Sequence, residues 1–452
     1  MKKLLVFLLL MVQSICSVWA ESAIQKQSAT KEITMTTQDA MKLAGDLVER
    51  GDLEHANQIL TKMPPTHNLA LEIERWFLLA QIAQKQGDYE TAIKIYKKIL
   101  DDQPDLARIR FELALCYMKM GRWYRADYHL RLAMAGQDLP EKVKQLMTYY
   151  RYIIRQNKRW NVWFNFGAAP DSNINNGNGG QECVVNGFGR FCRDLKEPES
   201  VLGANLTLGG NYEFVLSDNW RWKSDANIYS NTYNNHDYDD LYLSASTGPR
   251  YIWSKGDIWL ATVGARRWYG GEKYNYSYGL KLDTNYDFTR KLSGGLSLRY
   301  MENKYDEYGA FLNGQTYGLS TRLVYSFNAR LYSVLRTGIT RENTVNSTYS
   351  YWQPNIAIGW GIEVPYGFHI YAEPSFYMSK YDDPQWVIKD NDFAQITERD
   401  FVQRYALSIS NNKFDVWGFV PTLTVAYTKR DSNIWQKEFH KTTLEFTMQQ
   451  RF

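Results

Sequence analysis

The stretch Leu202-Gly203-Ala204-Asn205-Leu206-Thr207-Leu208-Gly209 decides the fold of this chain. Leu202, Ala204, Leu206 and Leu208 alternate with small or polar residues, and a period of two puts all four apolar side chains on one face of a strand. The pattern recurs downstream. Trp220, Trp222, Ala226 and Ile228 alternate with Arg221, Lys223, Asp225 and Asn227, Leu280 and Leu282 with Lys281 and Asp283, and Leu319, Leu323 and Tyr325 with Ser320, Arg322 and Val324. Working outward from these, fourteen such segments are predicted: 160–168, 201–215, 219–233, 240–253, 256–270, 273–288, 291–305, 314–327, 330–343, 350–364, 367–381, 399–411, 414–430 and 436–452.

The connections between them alternate in length. Tight turns are expected at Ser217-Asp218, Ser254-Lys255, Thr289-Arg290, Asn328-Ala329, Pro365-Tyr366 and Asn412-Lys413, whereas 169–200 and 382–398 are the longest loops on the other side. Short turns on one side and long loops on the other characterise a transmembrane β-barrel. Closure also removes the unpaired edges that an open sheet of this size would expose. Composition agrees. Twelve of 15 Trp and 25 of 33 Tyr lie beyond residue 159, as aromatic girdles require, while mean hydropathy is only -0.48 because alternate residues face lipid. After the first twenty residues no apolar run reaches the roughly 18 residues of a membrane helix. The formal net charge of +4 is too small to suggest nucleic acid as a partner.

Upstream of residue 160 the period is helical. Gly51, Gly87 and Gly121 recur at spacings of 36 and 34, and Ala56, Ala92 and Ala126 repeat the same two spacings. Trp76, Leu79, Ala80, Gly87, Tyr89, Ala92, Tyr96 and Pro104 carry nearly the whole tetratricopeptide pattern. A further copy has Leu113, Ala114, Tyr117, Gly121, Trp123, Ala126 and Ala133. Repeats of this kind bind peptides along the face made by the first helix of each pair. In this register that face presents Glu74, Phe77, Gln81, Gln84 and Lys85, then Arg108, Phe111, Met118 and Lys119. Phe77, Phe111 and Met118 are either groove anchors or packing against the next domain. A last helix, 141–157, ends in the basic cluster Arg151, Arg155, Lys158 and Arg159, expected to solvate the membrane interface.

At the start of the chain, Lys2 and Lys3 precede the apolar run Leu4 to Val12, and Val18-Trp19-Ala20 completes an export signal with cleavage expected after Ala20. Ile15 before Cys16 argues against lipidation there. The expected organisation is a signal peptide over 1–20, a linker over 21–36, a periplasmic tetratricopeptide-repeat domain over 37–158 and a 14-stranded outer-membrane barrel over 159–452. Export permits disulfides, and Cys183 and Cys192, nine apart in a Gly/Asn-rich loop, are expected to form one. Cys116 lies in an apolar helical pattern and reads as a buried hydrophobe. Both barrel ends on one side place the repeats in the periplasm and the cysteine loop outside. In the last strand Leu444, Phe446 and Met448 share a face, with Gln450 the polar departure before Phe452.

An enzyme is not expected. His55, His67, His129, His236, His369 and His440 include no pair at metal-ligand spacing, and no Cys/His cluster or phosphate loop occurs. Neither metal nor cofactor is expected.

The segment Ala169-Pro170-Asp171-Ser172-Asn173-Ile174-Asn175-Asn176, directly after the first strand, completes the pattern of signal, repeats and barrel. With it the chain resembles the surface lipoprotein assembly modulator (Slam) family over essentially its whole mature length. The resemblance is carried by Pro170, Asp171, Ser172, Asn173, Ile174 and Asn175 and by the repeat-to-barrel junction. It implies a translocon whose repeats receive a periplasmic client, either a surface lipoprotein or a secreted haem- or metal-acquisition protein. Periplasmic chaperones, the barrel-assembly machinery and outer-membrane lipid are the further partners it admits. Asn205, Asp225, Asn227, Lys281, Asp283 and Arg322 are the candidate lumen residues, of mixed sign. An exopolysaccharide exporter, which also joins tetratricopeptide repeats to a barrel, is the second reading, and a diffusion porin the third.

Overall fold

The computed structural model describes residues 35–136, 139–186, 188–414 and 419–451. The export signal, most of the linker, residues 415–418 and Phe452 lie outside the described residues, as does the side chain of Gln450. The chain forms two compact units, one through Leu78 and one from Leu79 onward.

The first unit holds helices α1 (Thr37–Arg50) and α2 (Leu53–Lys62) and the start of α3 (Leu69–Gln86). Thr36 caps α1 by accepting the Asp39 N–H at 3.2 Å, which satisfies a donor that the first helical turn leaves free. Met41, Ala44, Val48, Ala56 and Leu60 form its buried core.

The second unit contains the rest of α3, then α4 (Tyr89–Asp102), α5 (Ala107–Lys119), α6 (Trp123–Met134) and α7 (Glu141–Asn157). The repeat spacing seen in sequence has a backbone cause. Gly51, Gly87 and Gly121 have φ of +85°, +84° and +70°, and each is followed by a residue whose N–H reaches back to the helix at 2.9 Å. This is the helix-ending turn that a residue without Cβ adopts at no steric cost. Ala80, Ala92, Ala114, Ala126 and Ala133 are fully buried where helices approach most closely.

The same unit continues as β1 (Trp160–Ala168), β2 (Gln181–Asn186), β3 (Gly189–Asp194), β4 (Gly203–Val215), β5 (Trp220–Tyr233), β6 (Asp240–Trp253), β7 (Gly256–Tyr269), β8 (Glu272–Asp287) and β9 (Leu292–Tyr305). It is completed by β10 (Gly314–Ser326), β11 (Leu331–Thr344), β12 (Tyr351–Val364), β13 (Phe368–Tyr381), β14 (Gln385–Lys389), β15 (Asp392–Ile396), β16 (Arg399–Asn411), β17 (Phe419–Ser432) and β18 (Phe439–Arg451). Fourteen of these strands close into an antiparallel barrel in which β1 pairs with both β4 and β18. The fourteen-strand count read from alternation is therefore confirmed.

Two details differ from the sequence reading. β2–β3 and β14–β15 are separate hairpins inside the two long loops, invisible to a search for barrel periodicity because each strand pairs only with its neighbour. The connection after β16 is not a two-residue turn. Asn412–Phe414 is a single helical turn, tied by the Lys413 N–H to Asn411 Oδ1 at 2.8 Å, and β17 is described from Phe419.

The outer wall is apolar and exposed, as lipid contact demands. Leu206, Leu208, Ile228, Leu260, Leu280, Leu319, Ile356, Leu407 and Leu423 form a band between two aromatic rings. At the end carrying the α7–β1 junction (the near end) the ring includes Tyr212, Phe214, Trp220, Tyr286, Phe288, Tyr325 and Phe327. At the far end it includes Tyr276, Tyr278, Tyr300, Tyr317, Trp352 and Tyr405.

Candidate functional site

Between α7 and β1 lie only Lys158 and Arg159, so the helices are delivered directly to the near mouth. Arg110, on α5, is fully buried there. Its guanidinium meets Glu363 of β12 at 2.5 Å and donates to the Pro104 carbonyl at 2.6 and 3.0 Å. Tyr128 of α6 donates its hydroxyl to the other Glu363 oxygen. Both charges that burial strips of water thus have protein partners, which is the condition for keeping a charge pair inside. His129 lies beside this group, with Nδ1 3.5 Å from the Arg110 guanidinium. Burial first, and then the Arg110 charge, push its pKa down to about 3, so it is neutral at pH 7.

A second ionic cluster fastens α7. Arg155 donates to Asp287, at the end of β8, at 2.6 Å and to the Ser254 carbonyl at 2.9 Å, and Arg151 pairs with Asp287 at 2.7 Å and Asp127 at 3.4 Å. Burial would raise the Asp127 carboxyl, but the Arg151, Arg131, Lys158 and Arg155 charges outweigh it and hold the pKa at about 2. Lys158 lies over the Tyr124 ring at 4.2 Å. This corrects the expectation for the basic cluster. Arg151, Arg155 and Lys158 do not solvate the membrane interface; they hold the last helix to the barrel turns and to α6.

Between α4–α6 and the inner wall is a cavity of about 600 Å³, lined in part by Lys97, Tyr117, Arg125, Arg322, Arg336 and Tyr371. Among the expected lumen residues, Arg322 opens into it. Asp225 and Lys281 pair at 3.2 Å, Asp283 accepts the Ser297 hydroxyl at 2.6 Å, and Asn205 and Asn227 lie on the same inward faces of β4 and β5. Trp259 is buried beneath Lys223 and Lys281, whose ammonium groups sit 4.0 and 4.1 Å from its ring centre. On β16–β18 the small residues Ser408, Ser410, Thr422, Thr424, Thr443 and Thr447 share the inner face with Arg404, Lys441 and Glu445.

The expected repeat groove is only partly assembled. Gln81, Gln84, Lys85, Met118 and Lys119 line a hollow of about 570 Å³ with Tyr89, Leu115, Trp123, Tyr150 and Ile153. Phe111 is no anchor: it is buried, its ring 6.0 Å from Tyr150 of α7. Arg108 instead pairs with Glu112 at 2.7 Å. Glu74 and Phe77 belong to the other compact unit. Cys116 is buried in α5.

At the far mouth Cys183 and Cys192 are opposite partners in β2–β3 and are disulfide-bonded. That hairpin joins the other: Val185 donates to the Asn391 carbonyl at 2.9 Å, and Gln436 bridges Glu182 and the Ile388 carbonyl at 3.0 and 2.6 Å. Asp171 and Asn173 are buried beside β18. Sequence reasoning missed Arg110, Tyr128, Asp127, Glu363 and Asp287. The one available signal was an arginine and a glutamate inside an otherwise apolar helical run, Arg110-Phe111-Glu112-Leu113.

A closed barrel with a lipid-exposed belt, tetratricopeptide helices bonded into one mouth and paired hairpins at the other defines an outer-membrane β-barrel of the repeat-bearing kind. A sequence profile of the surface lipoprotein assembly modifier family matches residues 160–452, and a tetratricopeptide profile matches 83–148. The chain belongs to the surface lipoprotein assembly modifier family. It is 24% identical over 391 residues to the surface lipoprotein assembly modifier of Pasteurella multocida, covering 82% of this chain and 75% of that one. It is 24% identical over 366 residues to surface lipoprotein assembly modifier 1 of Neisseria meningitidis, covering 80% and 72%. Among solved structures, the outer membrane channel DcaP of Acinetobacter baumannii aligns at a TM-score of 0.37 with 9% identity, over 65% of this chain and 97% of that one. The toluene transporter TodX of Pseudomonas putida (P. putida) aligns at 0.36 with 10% identity, over 64% and 90%.

Proposed function

We propose that this chain is an outer-membrane translocon that delivers one surface lipoprotein, or a secreted haem- or metal-acquisition protein, across the outer membrane, its repeats recruiting the client in the periplasm. The observation that carries this reading is the buried Arg110–Glu363–Tyr128 junction. It fixes the repeat helices at the lumen mouth, which supports capture and delivery sharing one place. Family membership supports a lipoprotein client, since its relatives are surface lipoprotein assembly modifiers.

Size constrains the route. Fourteen strands spaced about 4.8 Å apart and tilted near 40° give a backbone diameter of roughly 28 Å and a lumen of roughly 15–20 Å. A folded client domain is wider, so the client passes unfolded or leaves sideways, and folding outside makes passage one-way.

The test is protease shaving of whole cells that express a lipoprotein encoded beside this gene, with and without the barrel. The client is expected to be degraded only when the barrel is present, at equal total amounts. Equal protection in both strains would overturn the assignment for that client. A client locked by an internal disulfide should stall, and its normal display would sink the unfolded-passage mechanism.

A further inference from the structure

The wall has one seam unlike the rest. Among the described residues β1 pairs with β18 over six positions, Trp163↔Arg451 to Ala168↔Phe446, whereas β1 and β4 pair over nine and β12 and β13 over ten. β18 continues far-ward from Phe446 to Phe439 without a strand beside it on the β1 side.

The segment Ala169–Asn176 stands in for the missing strand, and it does so largely with side chains. Its backbone touches β18 through Leu444 N–H to the Pro170 carbonyl at 3.3 Å and Ser172 N–H to the Thr442 carbonyl at 3.2 Å. Thr442 N–H donates to Ser172 Oγ at 2.9 Å, Lys441 Nζ pairs with Asp171 Oδ2 at 3.0 Å, and Asn173 Nδ2 donates to the His440 carbonyl at 3.3 Å. On its other edge Asp171 exchanges both backbone bonds with Val201, at 3.0 and 2.9 Å. Asn173, 1% exposed, is the keystone: its amide also bonds the Gly177 carbonyl and N–H at 2.7 and 2.8 Å. Toward the near end the β1–β18 ladder is backed on the outer surface by Phe419 of β17, which meets Phe164 and Phe166 at 5.9 Å.

A ladder of backbone bonds opens residue by residue, while a clasp of three polar side chains lets go as a unit. We propose that the Asp171–Ser172–Asn173 clasp holds a lateral gate between β1 and β18, through which the acyl chains of a lipid-anchored client pass from the lumen into the outer leaflet. This rests on the translocon reading above. Acyl chains must end in lipid, and an inward face carrying Asp225, Lys281 and Asp283 gives them no apolar path to the far mouth.

Two measurements decide it. In the purified full chain in lipid nanodiscs, hydrogen–deuterium exchange at 163–168 and 440–446 should run at least tenfold ahead of exchange in β10–β11. Asp171→Asn with Asn173→Ala should raise it further while β10–β11 stays unchanged. Equal exchange at both seams overturns the gate, whatever the client. In cells, Ala168→Cys with Phe446→Cys, opposite neighbours on the outer wall, should cut client display at least tenfold when oxidised and match the parent when reduced. Thr321→Cys with Thr337→Cys, across β10–β11, should not alter display in either state. Normal display from an oxidised β1–β18 pair overturns the proposal. A parent chain that displays no lipoprotein sinks the translocon reading instead, and the exchange result then stands on its own.

Discussion

The near and far mouths of this barrel are held by different sets of contacts. The near mouth uses ion pairs largely removed from water, Arg110 with Glu363 and Arg155 with Asp287, each charge-assisted and with further hydrogen-bond partners. The far mouth adds to its own ion pairs, Arg430 with Glu398 and Asp400 and Lys441 with Asp171, a short covalent link and amide side chains bonded to backbone in its loop hairpins. A buried ion pair costs most when half of it is lost, because the survivor has no water to return to. An amide-to-backbone contact costs about 0.5–1.5 kcal/mol each. The near mouth should therefore fail abruptly and the disulfide hairpin of the far mouth by degrees.

The sharpest way to break that contrast is Glu363→Ala. Leaving Arg110 buried and unpaired should cost roughly 3–5 kcal/mol. It should be read as loss of the helical circular-dichroism signal at lower urea, while the barrel still migrates as a folded species in unheated gels. Arg110→Met with Glu363→Leu should recover most of that loss, since apolar replacement of both partners is tolerated far better. At the far mouth, removing the disulfide with Cys183→Ser and Cys192→Ser should cost about 2–3 kcal/mol through the freed loop. That loss should be confined to the hairpin, seen as faster amide exchange at 181–194 with an unchanged barrel.

Acid sharpens the comparison next. His129 is held neutral well below its usual pKa, so the unfolded chain binds a proton between about pH 6.5 and 3 that the folded helices refuse. Stability is complete above pH 6.5 and falls as pH drops toward 3. Asp127, depressed to about 2, adds a loss between about pH 4 and 2. Helical unfolding followed from pH 7 to 4 should show this slope, and His129→Gln should flatten it while leaving far-mouth exchange alone. The smallest effect belongs to the hollow, where Met118→Lys should weaken client capture severalfold in a pull-down without altering either mouth.

The strands were legible because a membrane wall imposes strict alternation on every residue, so Leu206 or Leu280 reports its orientation locally. The repeats were legible through Gly87 and Gly121, whose left-handed backbone only small residues adopt cheaply. The junction was not. Arg110 and Glu363 stand 253 residues apart, and neither carries a local mark of its partner. The same holds for Arg155 and Asp287. Arg155 was noticed, but a cluster of basic residues beside a membrane strand has an ordinary explanation that pattern alone does not overrule. Phe111 shows the complementary failure: helical register placed it on the concave face, and α7, packing through Tyr150, covers that position.

The distance between Arg110 and Glu363 along the chain also sets an order of biogenesis. The helices leave the export channel first, and α5 then carries an arginine whose buried carboxylate partner on the barrel side, Glu363, comes 253 residues later, on the tenth wall strand. Until that strand is in place the helices lack their keystone charge. A half-made barrel is therefore paired with an unfinished helical domain, and the proposed capture of cargo by the helices waits on the wall proposed to carry it.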